Sequence, residues 1–224
     1  MNPNEVIRET KMSQIKRESP VRFDAAPKSS ELRANWQVAL EYDDEGSGPW
    51  IVDLAHKVRW DLQDSGIGDL TVGELAVPAD PGACTFADNT LVNRMNRTQA
   101  SIYHLGEAAP ALPDVAAYTD VSETTVFVAL FGPQAFRAAE KLTNLDFMEP
   151  GKPAPFLLQG PFCHVPCQIV ILEKTADGSG GFLLTCSRGY GDSMVHAILE
   201  AGTEFGLRPA GENRFKNWIQ GLQG

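Results

Sequence analysis

The sequence has no apolar run near the ~18–20 residues that a membrane-spanning helix needs. Its first twenty residues are polar and lack the apolar core of a secretory leader. Cysteine is scarce, with four in 224 residues, at 84, 163, 167 and 186. That is too few for a disulfide scaffold and fits free thiols in a reducing cytoplasm. Basic residues are also the minority, 19 Lys/Arg against 29 Asp/Glu. The shortfall lies in the body of the chain, because residues 1–33 hold 7 Lys/Arg and 5 Asp/Glu and leave 12 against 24 for the rest. An acidic body repels a phosphate backbone, which argues against general nucleic-acid binding and leaves room only for a local basic pocket. No Gly-x-Gly-x-x-Gly, Walker or Gly-x-Ser-x-Gly motif occurs, so nucleotide-binding and serine-hydrolase chemistry have no support.

What is present is an ordinary globular composition, 43% hydrophobic and 21% charged. A chain of this length buries roughly 70% of its unfolded surface. Residues 1–33 read as a polar tail, with a short helix possible over 5–17. A first α+β unit spans 34–107. It has strand signals at 36–42, 50–54 and 58–62, a short helix over 67–75, and further strands at 83–86, 91–94 and 101–105. In the third of these strands Val58, Trp60 and Leu62 alternate with Arg59, Asp61 and Gln63, as on a half-buried strand. Ala87-Asp88-Asn89-Thr90 reads as a hairpin turn. The Ala/Pro stretch 108–113 divides the chain. A second unit, 114–210, repeats the plan, with an apolar strand at 124–131 followed by Gly132-Pro133, where Pro133 suits a helix start. A helix runs to 141, and strands at 168–173 and 181–186 are joined by the Gly-rich turn 175–180. A closing helix spans 192–205, capped by Asp192 or Ser193 and ended by Gly206. Residues 211–224 read as a C-terminal tail. The fold class is α+β, with mixed sheets carrying helices on one face.

Few residues suggest chemistry. In Cys163-His164-Val165-Pro166-Cys167, an extended chain separates the two thiols by about 13 Å at ~3.3 Å per residue. His164 then points to the opposite face, so the three cannot share a zinc. Pro166 disfavours the helix that would bring them together. They read as buried strand thiols, and no metal is expected. Arg188-Gly189-Tyr190-Gly191 combines a carboxylate-pairing guanidinium, close backbone approach and an aromatic ring before a helix N-terminus. The alternative is a strand-to-helix turn with a surface arginine. Arg94 and Arg97 sit in one loop as an anion or interface contact, or as a solvated turn. His56 and His104 show no partner and read as structural.

The order of these segments resembles the folate-binding module of the aminomethyltransferase (glycine-cleavage T protein) superfamily, and within it the gamma subunits of heterotetrameric sarcosine oxidases. Asp53-Leu54-Ala55-His56 stands where the superfamily has an Asp-Val-Ser-His-like turn, and Arg59-Trp60 follow as in the gamma subunits. The run Gly132-Pro133-x-Ala135 through Lys141-Leu142-x-x-Leu145-Asp146 is similar to theirs, as is Glu204-Phe205-Gly206-Leu207. The resemblance covers roughly 36–207 and implies two duplicated ferredoxin-like-type units without the superfamily's C-terminal barrel. It implies tetrahydrofolate as a possible cofactor, with Asp146 as the candidate catalytic acid and Arg188, Tyr190 and Asp53 as contacts. Leu145 stands as an insertion in the transferases' Leu-Thr-Asn-Asp, which displaces the carboxylate by about 3 Å. The resemblance further implies a non-catalytic, cytoplasmic subunit whose partners are flavin-binding alpha and beta subunits, with flavin and NAD bound on those partners. A stand-alone tetrahydrofolate-dependent methyl- or aminomethyltransferase is the alternative.

Overall fold

The computed structural model describes residues 16–108 and 110–223. The possible helix over 5–17 falls almost wholly outside them. In chain order the first strands are β1 (Pro27–Arg33), β2 (Trp36–Tyr42), β3 (Trp50–Asp53), β4 (Arg59–Gln63), β5 (Thr71–Val72) and β6 (Leu75–Ala76). Then come β7 (Cys84–Ala87), β8 (Thr90–Arg94), β9 (Gln99–His104), β10 (Tyr118–Asp120), β11 (Thr125–Gly132) and helix α1 (Ala135–Glu140). The chain continues with β12 (Phe156–Phe162), β13 (Val165–Lys174), β14 (Gly180–Ser187), α2 (Gly191–Gly202), β15 (Arg208–Ala210) and α3 (Glu212–Leu222).

The centre is a six-stranded sheet, ordered β12-β13-β14-β11-β3-β15 and antiparallel except where β15 runs parallel to β3. Strand β11 is apolar on both faces because both faces are covered. Val126, Val128 and Leu130 face α1 and α2 through Phe136, Met194 and Ile198. Phe127, Ala129 and Phe131 face a second sheet and α3, meeting Leu91, Tyr103, Phe215 and Ile219. That second sheet, β10-β4-β9-β8-β7, is wholly antiparallel. Its outer face, with Trp60, Leu62 and Ile102, lies under Ile67, Val72 and Val77. The architecture is therefore α+β, with helices, six-stranded sheet, five-stranded sheet and a small flap in successive layers.

Several local expectations hold. Asp88 and Asn89 both take positive φ, 48° and 57°, as a two-residue hairpin requires. Gly206, at φ 75°, ends the helical stretch after α2. Others need correction. The helix expected over 67–75 is a single 3₁₀ turn at Ile67–Asp69 followed by the β5–β6 hairpin. Gly68 and Gly73 interrupt that stretch, and Gly73 takes φ 59° in the turn. Pro133 does not start α1, because Gln134 adopts a left-handed φ of 61° and the helix begins after it. Neither Asp192 nor Ser193 caps α2, and Ser193 Oγ instead donates to the Tyr190 carbonyl at 3.1 Å.

The tails also differ from expectation. Residues 27–33 form β1, paired with β2 through the Ala34-Asn35 turn. The strand is polar and exposed, so only its partner reveals it. Residues 212–222 form α3, whose Phe215 and Ile219 lie in the core with Trp218 and Leu222 against them. These positions are i, i+3, i+4 and i+7, one helix face. The boundary at 108–113 does not part the molecule, since β3 of the first half pairs with β11 of the second and Leu54 N donates to Phe127 O at 2.9 Å. Phe215→Ala is expected to lower unfolding free energy by about 3–5 kcal/mol in urea titration. A change within about 0.5 kcal/mol would mean the segment behaves as a surface tail.

Candidate functional site

Four ionisable residues fall between Asp53 and Arg59, where the chain leaves β3 and turns into β4. The turn is closed by Lys57 N donating to Leu54 O at 2.8 Å and by Ala55 N donating to Asp53 Oδ1 at 2.9 Å. It presents His56 and Lys57 to Glu212, the first residue of α3, whose side chain is 0% exposed. Glu212 Oε1 receives Lys57 Nζ at 2.6 Å, Arg33 Nη1 at 2.8 Å and His56 Nε2 at 2.9 Å. Lys216 Nζ lies 3.3 Å from Oε2. Lys57, 2% exposed, also donates to the Gly106 carbonyl at 2.8 Å. The start of α3 is held a second time by Glu45, which accepts from Gly211 N at 2.9 Å and from Arg214 Nε at 3.0 Å. Gly211 is needed there, because a Cβ would meet the Leu40 backbone at 2.2 Å.

Burial alone would raise the Glu212 carboxyl, but hydrogen bonds from His56, Arg33 and Lys57 outweigh it and hold the group far below the usual carboxylate range. Burial lowers His56 against the pull of Glu212, and the adjacent Lys57 charge adds to that lowering. Near neutral pH the cage is thus an ionised carboxylate with Lys57 and Arg33 charged and His56 neutral, donating through Nε2. The donors of Arg33, His56 and Lys57 all converge on Oε1 and so orient three segments, while Oε2 is buried with Lys216 Nζ as its ion partner.

Arg59 is the second buried cation, 1% exposed. It lies on the inner face of β4 rather than the solvent face that alternation suggested, because the Arg59 end of the strand is covered on both sides, while Asp61 is half-buried and Gln63 exposed. Its guanidinium sits 4.7 Å from the Phe127 ring centre. It donates to Lys57 O at 2.9 Å, to Thr125 Oγ1 at 3.1 Å and to the Ser122 carbonyl. Burial lowers it to about 10, which leaves it cationic. His104, buried beside Trp60 at a 4.3 Å ring separation, is pushed down by burial to about 4 and is neutral.

The residues singled out from sequence are dispersed. Asp146 is exposed, and its Oδ1 accepts from Met148 N at 2.9 Å, an Asx turn. The neighbouring Leu145 packs on Gly160, where a Cβ would stand 2.8 Å from it. Arg188 donates to the Glu18 carbonyl and, at 3.4 Å, to the Glu123 carbonyl, anchoring segment 16–25 across the start of α2. The same segment presses Pro20 O onto Gly191, with 2.2 Å to a hypothetical Cβ. Gly189 borders a cavity of about 490 Å³ with Arg22, Asp192 and His196, and Tyr190 is 46% exposed nearby in sequence. Asp53 borders a different cavity of about 390 Å³, under Ser19, Arg22 and Tyr42. Burial raises its carboxyl, offset by hydrogen bonds from Ser19 and the Ala55 amide. Arg94 is buried and clamps its own loop, donating to Asn96 O at 2.6 Å and Arg97 O at 2.7 Å, while Arg97 is exposed. Apart from that Arg94–Arg97 contact, no hydrogen bond or ion pair among the described residues joins these positions. Cys163 and His164 form the two-residue β12–β13 turn with φ 50° and 64°, so Cys163 is not the strand thiol the extended spacing suggested. No group of three or more His, Cys, Asp or Glu suited to a metal occurs among the described residues.

No family model matches the chain. Two aminomethyltransferases do, from Geobacillus thermodenitrificans (strain NG80-2) and Shouchella clausii (strain KSM-K16). Each is 34% identical, over 92 and 94 residues, covering 41% and 42% of this chain and 24% of either relative. The chain thus spans about a quarter of the length of the curated relatives it matches. A solved chain of heterotetrameric sarcosine oxidase from Corynebacterium sp. U-96, in complex with pyrrole 2-carboxylate, superposes with a TM-score of 0.55 at 15% identity. That superposition covers 69% of this chain and 84% of the other. Over its matched residues the chain is similar to aminomethyltransferases. Its fold is that of a sarcosine oxidase subunit.

In this chain the motif residues do not assemble a single folate cradle. Asp53 and Gly189 open onto separate cavities, Asp146 lines neither, and the Arg188 fork is occupied by backbone carbonyls. The residues that do converge, Arg33, Lys57 and Glu212, lay in presumed tails or a turn. The cage fixes the acid limb of stability. The folded Glu212 carboxyl lies below its unfolded value near 4.5, so its contribution is present above that pH and is lost as pH falls. His56, lowered from 6.5, acts in the same direction from a higher onset. Glu212→Gln is expected to cost about 3–5 kcal/mol at pH 7 by leaving Lys57 uncompensated, and to flatten the fall in stability below pH ~4.5. Urea titrations of both proteins from pH 3 to 8 check this, and an unchanged acid limb would exclude the ionised cage.

Proposed function

We propose that this chain is a gamma-type subunit, without an active site of its own, of a cytoplasmic complex that oxidises N-methyl groups with flavin and passes the one-carbon unit to tetrahydrofolate. Flavin and NAD belong to partner alpha and beta subunits in this reading. The observation that carries it is the use made of Asp146. The carboxylate standing in the place of the folate-directed acid is exposed and closes its own turn. The inserted Leu145 anchors that turn on Gly160. The likeness of fold to a chain of a heterotetrameric sarcosine oxidase supports the same reading.

A second reading, a stand-alone tetrahydrofolate-dependent methyl- or aminomethyltransferase, draws on the partial identity to aminomethyltransferases. Calorimetric titration with tetrahydrofolate separates the two. The subunit reading expects binding weaker than about 1 mM for the isolated chain, unaltered by Asp146→Ala, and co-purification of the native chain with flavin-containing partners. Micromolar binding that Asp146→Ala abolishes, with no partner retained, would establish the transferase instead.

A further inference from the structure

The cysteines of β13 and β14 have no part in the reading above. The β13–β14 ladder pairs Gln168 with Thr185 and Ile169 with Leu184, so the next pair outward is Cys167 opposite Cys186. Gln168 and Thr185 point to the Tyr103 hydroxyl, at 3.0 and 3.4 Å. Alternation therefore turns both cysteines to the other face of the sheet. There they share one apolar cluster, with Cys163 packed at its edge. Directly opposed residues of antiparallel strands have Cα atoms ~4.5–5.5 Å apart. A disulfide spans about 4.4–6.8 Å between Cα atoms, so the pair can close without moving the backbone. Both thiols are free, and each residue is 5% exposed.

We propose that Cys167 and Cys186 form an oxidation site for hydroperoxides, closing reversibly to a cross-strand disulfide between β13 and β14. Cys167 Sγ donates to the Val165 carbonyl at 3.3 Å and Cys186 Sγ to the Ser187 carbonyl at 3.7 Å, and the neighbouring Cys167 sulfur lowers the Cys186 thiol, so Cys186 is taken as the attacking sulfur. The Cys186 thiolate attacks one peroxide oxygen. A sulfur–oxygen bond forms, the oxygen–oxygen bond breaks, and the departing alkoxide, or hydroxide from hydrogen peroxide, takes up the thiol proton as alcohol or water. The Cys167 sulfur then displaces hydroxide from the Cys186 sulfenic acid. The sulfur–sulfur bond forms, the sulfur–oxygen bond breaks, and a water leaves with the Cys167 proton. Each sulfur gives up one electron, and the hydroperoxide is reduced to an alcohol and one water, or to two waters when it is hydrogen peroxide. Cys84, half-buried on β7 in the other sheet, has no opposed thiol, since its ladder partner is Asn93. The staple would lie one residue from Ser187 and two from Arg188, at the root of the corner that holds segment 16–25.

The test uses the reduced full-length chain, treated with hydrogen peroxide, alkylated under denaturing conditions and mapped by mass spectrometry. The site predicts that two of the four thiols escape alkylation, that a peptide linked through Cys167 and Cys186 appears, and that dithiothreitol removes it. In Cys167→Ser the link is lost and Cys186 proceeds to sulfinic acid. Four alkylated thiols after peroxide, or a link through Cys163 or Cys84 in the unmutated chain, would overturn the proposal. The map of the unmutated chain decides even if the serine variant folds poorly.

Discussion

One buried carboxylate, Glu212, joins segments far apart in the sequence. Arg33 closes β1, His56 and Lys57 form the turn between β3 and β4, and Lys216 lies one turn further along α3. A buried carboxylate with fewer partners would be costly, since each ion taken out of water loses several kcal/mol. With three donors on one oxygen the cost is offset only in one arrangement of the three segments. The cage therefore acts more on where the segments sit than on how stable they are. The same end of α3 is fixed independently by Glu45, which comes from the loop after β2. Together they clamp α3 against the six-stranded sheet, where Phe215 and Ile219 fill the layer beneath β11.

This pattern recurs at the other charged positions. Arg59 is ringed by carbonyls and hydroxyls, Arg94 by its own loop, Arg188 by the segment crossing α2, and Asp146 by its own turn. Charged groups that in a catalytic site would meet a ligand meet the backbone here. The likeness to the sarcosine oxidase chain is one of fold, and these charged side chains are engaged by backbone or by their own turns. That is the physical content of reading the chain as a subunit.

Much of the frame was legible in the sequence. Alternation marked β2 and β4, unbroken apolar runs marked β11 and β14, and Asp88-Asn89 marked a hairpin, because each depends on neighbours close in sequence. Elements defined by distant partners were not legible. Strand β1 is polar and exposed and exists through β2. Strand β12 contains Gly160 and Pro161, residues that normally argue against a strand, and is held by the β13 ladder. Helix α3 carried its apolar stripe in plain view, but a short polar-rich end of a chain reads as a tail. At the site, Asp53 and Arg188 were picked out by local motif. The Lys57–Glu212 pair, 155 residues apart by their numbers, left no local trace. Alternation assigned Arg59 to solvent, which holds for Gln63 at the far end of β4 but fails at the Arg59 end, where both faces are covered.

The central claim is that the converged charges serve the architecture. A double-mutant cycle on Lys57→Met and Glu212→Leu, read as unfolding free energy in urea at pH 7, tests it most directly. Each single substitution is expected to be more damaging than the pair together, so that the coupling energy exceeds the larger single effect, about 3 kcal/mol or more. Single effects that add within about 0.5 kcal/mol would contradict it.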